Sequence, residues 1–254
     1  MTHVVFLHGQ PGAGSDFDEV IARLPPGIDP FAPDRPGYRS NPAPACGAAD
    51  NARWLAGELD RVGVDRAVLV GHSYGGGVAL VSAAMFPERL QGLVLVASTG
   101  PHCLNRWDHV LAAPVVGPAC AFTAFSLLRW APRAVLAVMA RRLGRPLRVD
   151  EHVDLATWAD ARHEHGQVWR TFLTEQRDLV RNDGDLAAAA ERVSTPTVIL
   201  ADPDDDVVPV ETARALHAAL TGSSLQLVEG AGHALPRTEP EVVARAVADL
   251  VTAG

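Results

Sequence analysis

The chain has 254 residues, 48% of them hydrophobic, and a formal net charge of −8. That length suits one large α/β domain with an insertion, and that apolar content fills a core without disulfide or metal staples. The acidic balance, with no lysine- or arginine-rich run, argues against nucleic acid as a partner, and three scattered cysteines, Cys46, Cys103 and Cys120, make neither a disulfide framework nor a zinc site.

Met1 leads almost directly into an apolar run, so no signal peptide is read and a cytoplasmic protein is expected. Val4-Val5-Phe6-Leu7 reads as a short buried strand, followed by the loop His8-Gly9-Gln10-Pro11-Gly12-Ala13-Gly14. Asp16 to Leu24 is expected as an amphipathic helix capped by Ser15 or Asp16. A weak strand spans Ile28 to Ala32. Asp50 is placed as the cap of a helix from Asn51 to Val62, with Trp54, Leu55 and Leu59 on one face. Ala67 to Val70 is a second buried strand. It runs into Gly71-His72-Ser73-Tyr74-Gly75, and an apolar segment at helical spacing follows from Val78 to Phe86. Leu90 to Val96 is a further strand.

The alternation of strand and helix then stops. From about Pro101 to Asp185 the chain reads mainly helical, with repeated Pro and Gly breaks. Within it, Val110 to Leu128 carries no formal charge, which is long enough to raise a membrane span. Pro114, Gly117 and Pro118 interrupt it, so a pair of lid helices is expected and no stable membrane insertion. Alternation resumes with a helix from Leu186 to Val193, a strand from Thr197 to Leu200, a helix from Val210 to Leu220, a strand from Leu225 to Val228 and a helix from Pro240 to Val251. A β–α alternation interrupted once predicts a mostly parallel, doubly wound sheet from residues 1–100 and 186–254, with residues 101–185 as a helical cap near the carboxyl ends of the strands.

A Gly-x-Ser-x-Gly between a strand and a helix has a mechanical meaning. The turn holds the serine in strained geometry with its hydroxyl raised above the sheet edge. A serine hydroxyl is a poor nucleophile unless a neutral imidazole takes its proton and a carboxylate fixes that imidazole's tautomer. For the base, His233 follows the final strand in Glu229-Gly230-Ala231-Gly232-His233. His72 is expected to point away from its neighbour Ser73, and His8 to pack locally. For the acid, the loop after the Thr197 strand offers Asp202, Asp204, Asp205 and Asp206, of which one is expected to be buried against His233 and the others solvated. The aspartate run lacks the glycine and distal glutamate of a calcium loop, and His163-Glu164-His165 has the wrong spacing for one helix face. No metal or cofactor is expected. The oxyanion needs two N–H donors: the backbone of Tyr74, and one from the loop after the first strand, where Gln10 follows His8-Gly9.

Together these segments resemble the α/β-hydrolase superfamily over nearly the whole chain outside the insertion. The matching pieces are His8-Gly9-Gln10-Pro11-Gly12, Asp34-Arg35-Pro36-Gly37-Tyr38, Gly71-His72-Ser73-Tyr74-Gly75-Gly76, Asp205-Asp206-Val207-Val208-Pro209 and Gly232-His233. The resemblance implies Ser73, Asp205 and His233 as the catalytic residues. Asp205 is selected by its place four residues before the proline of a Val-Pro pair. It implies Gln10 and Tyr74 as oxyanion donors, and a cap that shapes the substrate pocket. Members usually carry two more strands before the His-Gly strand, so the Ile28 strand becomes a sheet edge here and a homodimer through that edge is expected. The activity implied is hydrolysis of an ester or similar acyl bond, falling on the acid side as His233 takes up a proton. The apolar insertion points to a small, largely apolar molecule as substrate, with Trp107, Trp130, Trp158 and Trp169 as candidate contacts, although the same tryptophans would serve to pack the helices. Two alternatives stand beside this. One is carbon–carbon bond hydrolysis of a ketone-like substrate, assisted by Arg129, Arg133, Arg141 or Arg142. The other is a ligand receptor that keeps an intact triad. Relatives that open epoxides or remove halide place Asp where this chain has Ser73.

Overall fold

The computed structural model describes residues 1–130 and 168–253. Six strands form one sheet: β1 (Thr2–Leu7), β2 (Ile28–Phe31), β3 (Ala67–His72), β4 (Leu90–Val96), β5 (Thr197–Ala201) and β6 (Ser224–Leu227). Their order is β2-β1-β3-β4-β5-β6 and every pairing is parallel. Alternate side chains sort onto two faces, as strand geometry demands. Val5, Leu7, Leu69, Leu93, Leu95 and Ile199 face one layer. Val4, Phe6, Val68, Val70, Val94 and Val96 face the other. Both faces are covered, which is why β1, β3 and β4 read as unbroken apolar runs rather than alternating ones.

The first face is covered by α2 (Ala48–Val62), α3 (Tyr74–Met85), α7 (Asp183–Ala190) and α8 (Val210–Ala219). The second is covered by α1 (Asp18–Ile21) and α10 (Pro240–Ala253). Between β4 and α7 lie α4 (Arg106–Ala112), α5 (Val116–Trp130) and α6 (Val168–Arg181), and a short α9 (Leu235–Thr238) follows β6. The uncharged run from Val110 to Leu128 is divided between α4 and α5. Among the described residues no helix is long and apolar enough to cross a membrane.

Three local expectations are corrected. The helix expected from Asp16 to Leu24 is a 3-10 turn (Gly14–Phe17) followed by the single turn of α1. Asp16 lies inside it, accepting the Ala13 N–H at 3.1 Å, rather than capping it. Helix α2 begins at Ala48, not after Asp50, because its first N–H is taken by Asp178 from α6, with Ala48 N to Asp178 Oδ2 at 2.8 Å. Helix α7 begins at Asp183 and ends at Ala190, three residues before the expected Val193. The Ile28 strand is at a sheet edge, and it carries Pro30, a residue confined to such strands because it lacks an N–H.

After β1 the chain turns to β2 on one side, and after β3 it turns to β4 on the other. A crevice opens at such a reversal, beyond the carboxyl ends of the strands. The Gly9-Gln10 loop and Ser73 are on its two sides.

Candidate functional site

Ser73 stands between β3 and α3 with φ 53° and ψ −122°. A non-glycine residue in that region costs roughly 1–3 kcal/mol and persists only where its surroundings over-determine it. Here they do. The Ser73 N–H donates to the Val96 carbonyl at 3.0 Å, and the Ser73 carbonyl accepts N–H groups from Gly76 at 2.9 Å and Thr99 at 3.0 Å. The elbow is also tightly packed. A Cβ on Gly75 would collide with the carbonyl oxygens of Leu7 and His8, and one on Gly9 would be crowded at 3.1 Å from Ser73 Cβ.

Three side chains meet above this turn. His233 Nε2 lies 3.0 Å from Ser73 Oγ, and His233 Nδ1 lies 2.8 Å from Asp205 Oδ2. Asp205 is almost fully buried, and its other oxygen accepts the N–H groups of Val207 and Val208 at 2.8 and 3.0 Å. Burial alone would raise this carboxyl. The His233 imidazole and the two N–H donors outweigh it and hold the carboxyl below its ordinary range. An ionised carboxylate only accepts, so His233 carries its proton on Nδ1 and presents a bare Nε2 to the serine hydroxyl. That is the arrangement in which an imidazole withdraws a proton from an alcohol.

The loop bearing His233 is fixed by residues the sequence offered for other roles. Asp202, expected to be solvated, is buried: it accepts the Gly232 N–H at 2.6 Å and the Asp204 N–H at 2.8 Å. Its carboxylate is the clamp between the two loops, and it leaves Asp205 to the imidazole. His72, expected to point away from Ser73, turns its ring to His233, with centroids 5.0 Å apart and Nε2 2.8 Å from the His233 carbonyl. Burial, with the nearby His233, pushes its pKa down to about 3, so it is neutral and donates from Nε2 to that carbonyl.

Tyr74 is the first residue of α3, where a backbone N–H has no partner within its own helix. Gln10 follows Gly9, which abuts Ser73. One of the two backbone N–H groups therefore belongs to the start of α3 and the other to the loop after β1, the two segments next to the serine. Behind them Arg35 is fully buried. Its Nε and Nη2 donate to the carbonyls of His8 (2.8 Å) and Gly9 (2.9 Å), and its Nη1 and Nη2 grip Glu175 of α6, which also accepts from Tyr38 Oη at 2.7 Å. Burial would weaken the guanidinium's hold on its proton, but Glu175 and Tyr38 outweigh that and raise its pKa. Burial and the Arg35 charge keep His8 neutral, with Nε2 accepting the Arg35 N–H at 2.9 Å. His8 thus packs as expected.

Trp107 is exposed on α4, and its N–H is capped by Asn105. Trp169 meets Phe122 edge-on at 5.9 Å and packs on the small cluster formed by Tyr38, Ala121, Val168 and Leu173. Trp130 ends α5. Trp158, Arg133, Arg141, Arg142 and His163-Glu164-His165 lie outside the described residues, as does the Arg129 side chain. A cavity of about 220 Å³ between α2, α3, α6 and α7 is lined by Tyr74, Gly77, Val81 and Asp178, and by none of Ser73, Asp205 and His233.

The cysteines differ sharply. Burial pushes the thiols of Cys46 and Cys103 up to about 11, while Cys120 is exposed. A thiolate is the reactive form. Native protein treated with dithiobis-nitrobenzoate at pH 8 is expected to release one equivalent of thiol quickly, from Cys120, and a Cys120→Ser variant almost none. Fast release of a second equivalent by that variant contradicts the assignment.

Comparison with known proteins agrees with this architecture. Residues 4–246 match the family model described as alpha/beta hydrolase family. The chain is 28% identical to a 2-hydroxymuconate semialdehyde hydrolase of Pseudomonas putida, over 89% of this chain and 75% of that protein. It is 29% identical to the putative carbamate hydrolase RutD of Pseudomonas savastanoi pv. phaseolicola, over 98% of this chain and 93% of that one. A thermophilic esterase from Thermogutta terrifontis shares the fold with a TM-score of 0.73 at 19% identity, covering 99% of this chain and 90% of that one. With a parallel sheet, a strained serine at the end of β3 and a match across almost its full length, this chain belongs to the alpha/beta hydrolase family.

Proposed function

We propose that the protein is a serine hydrolase that cleaves an ester or related acyl bond of a small, largely apolar substrate through an acyl-enzyme. The observation that carries this is the hydrogen-bonded line from Ser73 through His233 to Asp205, at 3.0 and 2.8 Å. Ser73 Oγ attacks the carbonyl carbon as His233 Nε2 takes its proton, and Asp205 stabilises the imidazolium. The N–H groups of Tyr74 and Gln10 receive the developing oxyanion. The intermediate collapses, His233 returns the proton to the leaving alcohol, and the same imidazole then activates water to release the acid. In this reading residues 101–185 are the cap that shapes the substrate pocket, and Trp107 and Trp169 are its described candidates for apolar contact to the acyl group. Hydrolysis of a ketone-like substrate at a carbon–carbon bond is the second reading, favoured by the likeness to a semialdehyde hydrolase.

The test compares wild type with Ser73→Ala on chromogenic acyl esters of graded chain length. Wild type is expected to show a burst of one alcohol per active site, and the variant to lose about 10⁴-fold or more in kcat. Equal rates from the two proteins would end the proposal. Turnover confined to ketone-like substrates would favour the second reading.

A further inference from the structure

Gln10 is tied by its side chain as well as by its place in the chain. Its Nε2 donates to Gln176 Oε1 at 2.9 Å, and Gln176 Nε2 donates to Asp108 Oδ1 at 2.9 Å. The three residues come from the loop after β1, from α6 and from α4. Asp108 also accepts the Asn105 N–H through Oδ2 at 2.6 Å, which anchors it at the start of its helix. The order of donors admits one direction. A carboxylate only accepts, so Gln176 must turn its NH₂ to Asp108 and its carbonyl oxygen to Gln10, and Gln10 must answer with its own NH₂. The Gln10 amide oxygen is left buried with no partner among the described residues. Leaving a buried acceptor unpaired is costly, so the orientation is imposed from the Asp108 end rather than chosen by Gln10.

A second tie runs beside the first. Glu175, the neighbour of Gln176 on α6, grips Arg35, which in turn holds the carbonyls of His8 and Gly9. Adjacent residues of one inserted helix therefore fix consecutive residues of the loop after β1. That loop carries glycines at positions 9, 12 and 14, with Pro11 directly after Gln10.

We propose that Asp108 and Gln176 are positioning residues for the Gln10 backbone N–H, which they orient toward the oxyanion through this one-way chain of hydrogen bonds. The proposal rests on the serine-hydrolase reading above and on the role given there to Gln10. An oxyanion donor works only if it is held in place before charge develops on the substrate. Loss of the chain therefore weakens the transition state and leaves binding of the ground-state ester alone.

The experiment measures kcat, KM and melting temperature on a chromogenic ester for wild type, Gln176→Ala, Gln176→Glu and the double variant Asp108→Asn/Gln176→Glu, with Ser73→Ala alongside. Gln176→Ala cuts the chain. Gln176→Glu sets one carboxylate against another. The double variant rebuilds it, because the introduced carboxylate accepts from the introduced carboxamide on one side and from Gln10 on the other. Both single variants are expected to lose about 10–100-fold in kcat with KM little changed, and the double variant to recover most of that loss. Single variants with wild-type kcat overturn the proposal. So does a kcat loss that tracks melting temperature and is not recovered in the double variant. Activity in Ser73→Ala equal to wild type instead overturns the serine reading beneath it, so the two failures are told apart.

Discussion

Asp205→Asn is expected to lower kcat by about 10⁴-fold while the chain still folds. The carboxamide can donate where the carboxylate only accepted. His233 Nδ1 then becomes an acceptor, its proton moves to Nε2, and the ring offers Ser73 a donor in place of a base. The loss should barely deepen when Ser73→Ala is added, because the residues act as one unit. A fall of less than about tenfold would show that Asp202 or another carboxylate orients the ring. The same residue gives a pH signature in stability. Its folded pKa lies below the unfolded one, so its contribution is present in full above the ordinary aspartate value of about 3.9. That contribution is lost as pH falls through the folded pKa. The difference in urea midpoint between wild type and Asp205→Asn should therefore shrink in acid.

Glu175→Ala is expected to cost about 3–5 kcal/mol of folding stability, the usual penalty for leaving one member of a buried ion pair alone. Arg35 and Glu175 are both 0% exposed, so the charge left behind stays out of bulk solvent. Tyr38 loses its hydrogen-bond acceptor at the same time. Glu175→Gln, which keeps a hydrogen-bonding group of the same shape, should cost less than Glu175→Ala. The measurement is urea unfolding followed by circular dichroism, with the slope compared so that a change in denatured-state compactness is not mistaken for a change in stability. A loss below about 1 kcal/mol would mean that the pair is no stronger than an exposed one.

Much of this was legible in the chain itself. The apolar runs of β1, β3 and β4 are long because both faces are covered, and Gly71 to Gly75 names its turn through the small residues it demands. His233 was legible for the same reason: small residues precede it directly after the last strand. The misses share one cause, partners far apart in sequence. No local pattern says that Asp178 supplies the N-terminal acceptor of α2, 130 residues earlier. Asp50 was the best local candidate and lost to it. Glu175 and Gln176 sit in an amphipathic helix where two buried polar residues carry no periodic signal of their own. Asp202 was expected in solvent because four neighbouring aspartates repel one another; the Gly232 N–H that holds it comes from 30 residues away. His72 could have been noticed only by knowing that the His233 loop passes over it.

The roots of α6 run deeper into the sheet domain than its position in the chain suggests. Glu175, Gln176 and Asp178 reach four separate segments of the sheet domain, at Arg35, Gln10, Ala48 and Tyr74. Exchanging residues 101–185 as one block would therefore strip the sheet domain of three of its own anchors, whereas a replacement joined ahead of Val168 would keep them.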